Sequence, residues 1–221
     1  MRSINGQRAA GAAGIVFIVL TLGSGFLVQP PPSASHPATK FFEYYNDNRN
    51  ALLAQGIIAV LGNIPAFIFV GGLWSLLRRE EGDGGVLGPA AIFAFVTLAA
   101  VATLASTWSM GIAMLADGNG LSEEMARTLG VVSTLVQPGL MSAMAPSAGI
   151  SGYVLVRGTS LPRWIGIVGL VSAALGIVAI FGVATDGALA PFGLFSFGAF
   201  LVFSAYVVLL GVFMWLRSPA A

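Results

Sequence analysis

Apolar positions in this chain come in long unbroken stretches, separated by short polar ones. The clearest is ALLAQGIIAVLGNIPAFIFVGGLWSLLRR, residues 51–79, which holds no charge until its closing arginines, Arg78 and Arg79. A helix needs about 20 mainly apolar residues to cross a bilayer core, so residues 51–77 read as a membrane span. The same reasoning predicts further spans at 10–28, 86–115, 128–156, 164–184 and 192–216. The expected fold is therefore all-α: an integral membrane bundle of six transmembrane helices in one domain covering residues 1–221. The third span is longer than one crossing requires, so it is tilted or projects beyond the core. Residues 1–28, with Arg2 and Arg8 ahead of an apolar run, also fit a signal peptide cleaved near Ser33–Ala38. The run exceeds the usual apolar region of such a peptide, about 7–15 residues, which favours an uncleaved span.

The longest polar segment, Gln29–Asn50, has two halves. Pro30, Pro31, Pro32 and Pro37 keep the first half extended. The second half, TKFFEYYNDNRN, sets Phe41, Phe42, Tyr44 and Tyr45 beside charged residues, the pattern of a short interfacial helix. That helix reads as an aromatic anchor at the headgroups or, more sharply, as a lid over an outward-facing cavity. Turns are expected at Glu80–Gly85, at Asp117-Gly118-Asn119-Gly120 and around Asp186 and Pro191. Ser122 followed by Glu123 and Glu124 suits a helix N-terminus.

Charge then sets the threading. Charged residues make up 9% of the chain and mean hydropathy is +0.89, against about 25% charged in soluble domains. With the N-terminus in the cytoplasm, Arg2, Arg8, Arg78, Arg79, Arg157, Arg163 and Arg217 fall inside, while Lys40, Arg49 and Arg127 fall outside. This satisfies the positive-inside bias and places both termini in the cytoplasm. Trp74, Trp164 and Trp215 lie close to inside arginines, where an indole suits the interface. The net charge of +1 gives no basis for a nucleic-acid partner. The expected partners are the lipid bilayer and a homo-oligomer or larger membrane complex.

The candidate chemistry is sparse. The chain has no cysteine and a single histidine, His36. No Asp, Glu, Lys, Arg or His lies well inside a span, and such residues mark proton relays and ion pathways. Intramembrane protease, Walker and Rossmann patterns are absent from the sequence. No catalytic, cofactor-binding or metal-ligating residue is therefore assigned, and no cofactor is expected. The methionines Met110, Met114, Met141 and Met144 read as packing filler. What remains are uncharged polar residues: Gln55, Asn63, Ser106, Thr107, Ser133 and Gln137, which the threading places between the outer half and the midplane of spans two to four. Ser133 and Gln137 would form an i,i+4 pair, while Pro65 and Pro138 each free a backbone carbonyl. These groups either join helices, at about 0.6 kcal/mol each, or line a polar pocket for a neutral or amphipathic molecule. Spacings such as Gly169-xxx-Ala173 allow close approach of helices within the bundle or between copies.

The segment FFEYYNDNRNALLAQGIIAVLGNIPAFIFVGGLWSLLRREEG resembles small actinobacterial-type multi-pass membrane proteins of the DUF4386 group. Tyr44, Tyr45, Asp47, Asn48, Arg49, Leu73, Leu76, Arg78 and Arg79 carry the likeness. It implies six membrane helices and no particular activity. The expected location is the cell membrane, a bacterial inner membrane. The expected function is that of a non-enzymatic membrane protein, an accessory or assembly subunit or a small-ligand binder. The alternative is a small transporter or channel for a neutral or hydrophobic solute.

Overall fold

The structure, a computed structural model, describes residues 2–82, 84–118, 120–182 and 187–216, with the backbone alone at residues 2–5 and 118. The Arg2 side chain, Asn119, Ala184, Asp186 and Arg217, which entered the threading and turn assignments, lie outside the described side chains. The described residues form α-helices and one short 3-10 turn, with no strand among them. The helices are α1 (Arg2–Gly25), α2 (Ala38–Asp47), α3 (Arg49–Leu61), α4 (Asn63–Glu81), α5 (Leu87–Leu115), α6 (Glu123–Thr134), α7 (Val136–Arg157), α8 (Arg163–Ile180) and α9 (Leu194–Leu216).

Six helical segments are long and apolar enough to cross a membrane: Gly6–Gly25, Arg49–Glu81, Leu87–Leu115, Glu123–Arg157, Arg163–Ile180 and Leu194–Leu216. The chain is an all-α bundle built for a bilayer. Two details differ from the sequence expectation. The first helix ends at Gly25 rather than Val28. The second and fourth segments are each broken, at Gly62 and at Leu135. In both, a proline follows three residues later, Pro65 and Pro138. Proline has no N–H for the carbonyl four residues back, so the ladder lapses there.

The long helices close into a ring. α1 packs on α9 and α4, α9 on α8, α8 on α7, α7 on α5, and α5 on α3 and α4. Small residues set the closest crossings. At α7–α8, a Cβ on Gly152 would sit 2.6 Å from the Gly166 carbonyl oxygen, and one on Gly166 would sit 2.5 Å from that of Gly152. Ala148 faces Gly169, and Ala145 faces Gly176. The small-residue stripe of the fifth span is thus spent inside its own bundle. At α1–α9, a Cβ on Gly211 would lie 2.7 Å from the Gly11 oxygen.

Large apolar side chains fill the ring. Phe69 of α4 meets Phe95 of α5 edge-on at 6.2 Å between ring centroids, and Phe95 meets Phe203 of α9 at 5.8 Å. Leu73, Leu77, Met144, Val207, Leu210 and Met214 continue this core, all essentially buried. Inside it, the Tyr206 hydroxyl pairs with Ser151 at 2.8 Å, and Ser151 donates to the Ser147 carbonyl of its own helix.

A second, separate core lies at one end. It gathers Val28, Phe41, Tyr45, Leu52, Ile112, Ala113, Leu121 and Ala126. Here α2 lies on α6, with Phe41 and Tyr45 buried against Gly130. These two aromatics therefore pack on protein, not at lipid headgroups, because α6 offers them a glycine-lined face. Lys40, Arg49 and Arg127 belong to this end.

Arg78, Arg79, Arg157 and Arg163 belong to the opposite, basic end. Two carboxylates organise it. Glu80 accepts from the Thr159 N–H at 2.7 Å and the Ser160 N–H at 3.2 Å, tying α4 to the α7–α8 loop. Glu81 accepts from the Leu87 and Gly88 N–H groups at 3.2 and 2.5 Å, closing the N-terminus of α5.

Candidate functional site

About 20 residues of helix cover the hydrocarbon core. Counted from Arg78, Gly88, Arg157 and Arg163, the far boundary of the bilayer falls near residue 58 in α3, Trp108 in α5, Gln137 in α7 and the end of α8. The start of α3, the last turns of α5, and all of α2 and α6 then stand beyond it. On this count the six polar candidates lie within about five residues of the boundary, with Asn63 deepest.

The six do not share one environment. The Asn63 amide donates to Thr103 Oγ1 at 2.7 Å, and Thr103 donates on to the Ala99 carbonyl. This is a joint between α4 and α5. Ser106 donates to Ala102 O at 2.9 Å, and Thr107 donates to Thr103 O at 2.9 Å. Both hydroxyls are thereby returned to their own helix. Ser133 donates to Gly130 O at 2.7 Å and also faces the Tyr45 hydroxyl. Gln55 and Gln137 are half-buried, and neither has a hydrogen-bond partner among the described residues.

The break at Leu135 puts Ser133 on α6 and Gln137 on α7, so they are not an i,i+4 pair on one helix. The reason is again Pro138. Gln137 heads the α7 stripe that continues through Met141, Met144, Ala148 and Ser151, which is its core face. Gly56 of α3 seats the Met110 side chain, and a Cβ there would lie 3.3 Å from the Ser106 carbonyl. This brings Ser106 beside α3, one helix turn or less from Gln55.

The α2 helix closes over this region. Lys40 and Glu43 pair at 2.8 Å on its exposed face, which raises the Lys40 pKa. Tyr44 donates to the Gln29 carbonyl at 3.0 Å. Burial pushes both the Tyr44 and Tyr45 phenols above their ordinary range, and the Ser133 hydrogen bond offsets part of that for Tyr45. Arg49 reaches Asp117 at 2.5 Å, across from α3 to the turn after α5. The Trp108 indole N–H points to Leu129 O at 3.4 Å. Ser122 caps α6 by accepting from the Met125 N–H at 3.3 Å, as its position in the sequence predicts.

The residues that could carry polar chemistry at this end are kept apart by these pairings. His36 is held by Ser33 at 2.7 Å, Glu43 by Lys40, and Arg49 by Asp117. Among the described residues, no group of three or more His, Cys, Asp or Glu could hold a metal ion. The basic end has a small cleft of about 30 Å³ between Gln7, Leu76, Arg79, Ser160, Leu161, Phe213 and Met214. Arg79 and Gln7 meet at its mouth at 3.5 Å.

The sequence reading missed the α2–α6 contact. Its signal was present: both segments alternate polar and apolar faces, whereas the spans are apolar all round. No family model, no curated protein and no solved structure matches this chain.

Proposed function

We propose that this chain is a non-enzymatic multi-pass membrane protein that works through its α2–α6 end, as an accessory subunit or by binding a small neutral or amphipathic molecule. The basic end faces the cytoplasm in this reading, with α2 and α6 outside. One observation carries it. The ring is closed on its axis by Phe69, Leu73, Phe95, Phe203, Leu210 and Met214, each no more than 5% exposed. A conduction path needs a continuous polar lining, and these six apolar side chains interrupt one. Gln55, Ser106, Ser133 and Gln137 lie toward the end where α2 and α6 sit.

The competing reading is a channel or carrier for a neutral solute. The test is flux. Purified protein is placed in liposomes and shrinkage and reswelling in glycerol or urea are followed by light scattering. The expected rate equals that of empty liposomes. A rate several-fold above empty liposomes, lost when the protein is heat-denatured, overturns the proposal in favour of transport.

A further inference from the structure

At the basic end, the carboxylates are spent on backbone groups and the arginine charges are left standing. Glu80 and Glu81 follow Arg78 and Arg79 directly in the chain. Yet Glu80 is held by the Thr159 and Ser160 N–H groups, and Glu81 by those of Leu87 and Gly88. Among the described residues, Arg8, Arg79, Arg157 and Arg163 are exposed and form no ion pair. Arg157 lies over the Tyr153 ring at 5.2 Å, and Arg79 reaches the Gln7 side-chain oxygen at 3.5 Å. A hydrogen bond of that length is weak, so the Arg79 guanidinium keeps most of its five donors for another acceptor.

Arg79 also lines the cleft between α1, α4, α9 and the α7–α8 loop. The cleft has two characters. Gln7, Arg79 and Ser160 supply its polar groups, while Leu161, Phe213 and Met214 supply apolar wall, with Leu161 and Met214 buried. Its level in the bilayer is marked by two indoles. Trp164 is exposed and meets Phe213 edge-on at 6.0 Å, and Trp215 is exposed nearby on α9. Indoles favour the layer where hydrocarbon gives way to headgroups.

We propose that this cleft is a binding site for the phosphodiester of an anionic phospholipid, with Arg79 as its principal donor. The planar fork of a guanidinium matches two oxygens of a phosphate. Gln7 and Ser160 add uncharged hydrogen-bonding groups, and Phe213 with Trp164 offers apolar surface to the glycerol end of the lipid. Charge selects the headgroup. Arg8, Arg157 and Arg163 share this end, so a choline or ethanolamine ammonium meets like charge there, while a headgroup without a cation is drawn in. Glu80, the carboxylate beside Ser160, is already engaged by two backbone N–H groups. Basic pockets between membrane helices are a recurrent seat for anionic headgroups. Headgroups border both faces of a bilayer, so the site holds whichever end is cytoplasmic, and it is independent of the α2–α6 reading.

The test is lipid binding to the purified full chain. Protein stripped of lipid in detergent is titrated with dioleoylphosphatidylglycerol or dioleoylphosphatidylcholine, and bound lipid is counted by native mass spectrometry. The glycerol lipid is expected to bind several-fold more tightly than the choline lipid; equal affinities overturn the proposal. Arg79→Gln is expected to weaken the glycerol lipid about tenfold, the scale of one charge-assisted contact. Arg127→Gln removes the same charge from an exposed position at the opposite end and is expected to leave the affinity unchanged. No loss in Arg79→Gln, or equal losses in the two variants, overturns the proposal, because only overall charge is then being read. Should Arg79→Gln fail to fold, Gln7→Ala decides in its place: a several-fold loss supports the site and an unchanged affinity overturns it. Excess inorganic phosphate is expected to leave the lipid bound. Displacement by phosphate assigns the cleft to the free anion and overturns the lipid assignment.

Discussion

At Gly152 and Gly166 two helix backbones touch, and no side chain larger than hydrogen fits between them. Overpacking a close crossing costs about 1–3 kcal/mol. Gly166→Val is therefore expected to lower the thermal midpoint clearly in nanodiscs. Gly71→Val is its control: the space around Gly71 is open, so that variant should leave the midpoint nearly unchanged. Equal losses in the two would mean that the α7–α8 contact is not what glycine is needed for. Polar joints are weaker. Asn63→Leu removes the bond to Thr103, but Thr103 keeps Ala99 O as its acceptor. The expected loss is about 0.6 kcal/mol, well below that of Gly166→Val in the same melt.

At the scale of elements, α2 behaves as part of the protein interior even though it lies outside the spans. Tyr44 and Tyr45 keep their protons above the ordinary phenol pKa, about 10. In the unfolded chain both would ionise near that value. Their folded pKa values are raised, so the stability they contribute is present below about pH 10 and is lost as pH rises past it. Ultraviolet titration should show tyrosinate from these two appearing late and together with loss of the α2–α6 contact. Early, reversible ionisation of both would place α2 in water instead. The breaks at Gly62 and Leu135 follow the same logic in lipid. A carbonyl without its helical donor needs another partner, so breaks sit near the boundary, where one can be found.

At the scale of the molecule, the two ends differ in kind. The basic end is tied by Glu80 and Glu81 to backbone N–H groups of two neighbouring loops. Glu80→Ala should loosen α4 from the α7–α8 loop and cost about 1.5–3 kcal/mol, the range for hydrogen bonds to charged groups. A thermal midpoint equal to that of the parent protein would show the loop is held by other contacts. The opposite end is tied by apolar contacts and the Arg49–Asp117 pair. Threading is tested with single cysteines and a membrane-impermeant thiol reagent applied to whole cells. His36→Cys and Thr128→Cys are expected to react from outside, and Thr159→Cys only after lysis. Reaction of Thr159→Cys in intact cells would reverse the orientation.

Six spans and their approximate limits were legible in the residues alone, because hydrocarbon admits only long uncharged helices and the requirement acts on each stretch separately. The N-terminal cap at Ser122 was legible for the same reason, since its partner is three residues away. The breaks were half legible. Pro65 and Pro138 announced missing donors, but whether a helix bends or carries on depends on its neighbours. Three features were decided by tertiary structure: the order of helices around the ring, the facing of Gly152 with Gly166, and the seat of Phe41 and Tyr45 on Gly130. Apolar residues look alike to a lipid tail and to another helix, so their pattern along the chain does not encode which of the two they meet. That choice is made by shape, when small residues on one helix find small residues on another.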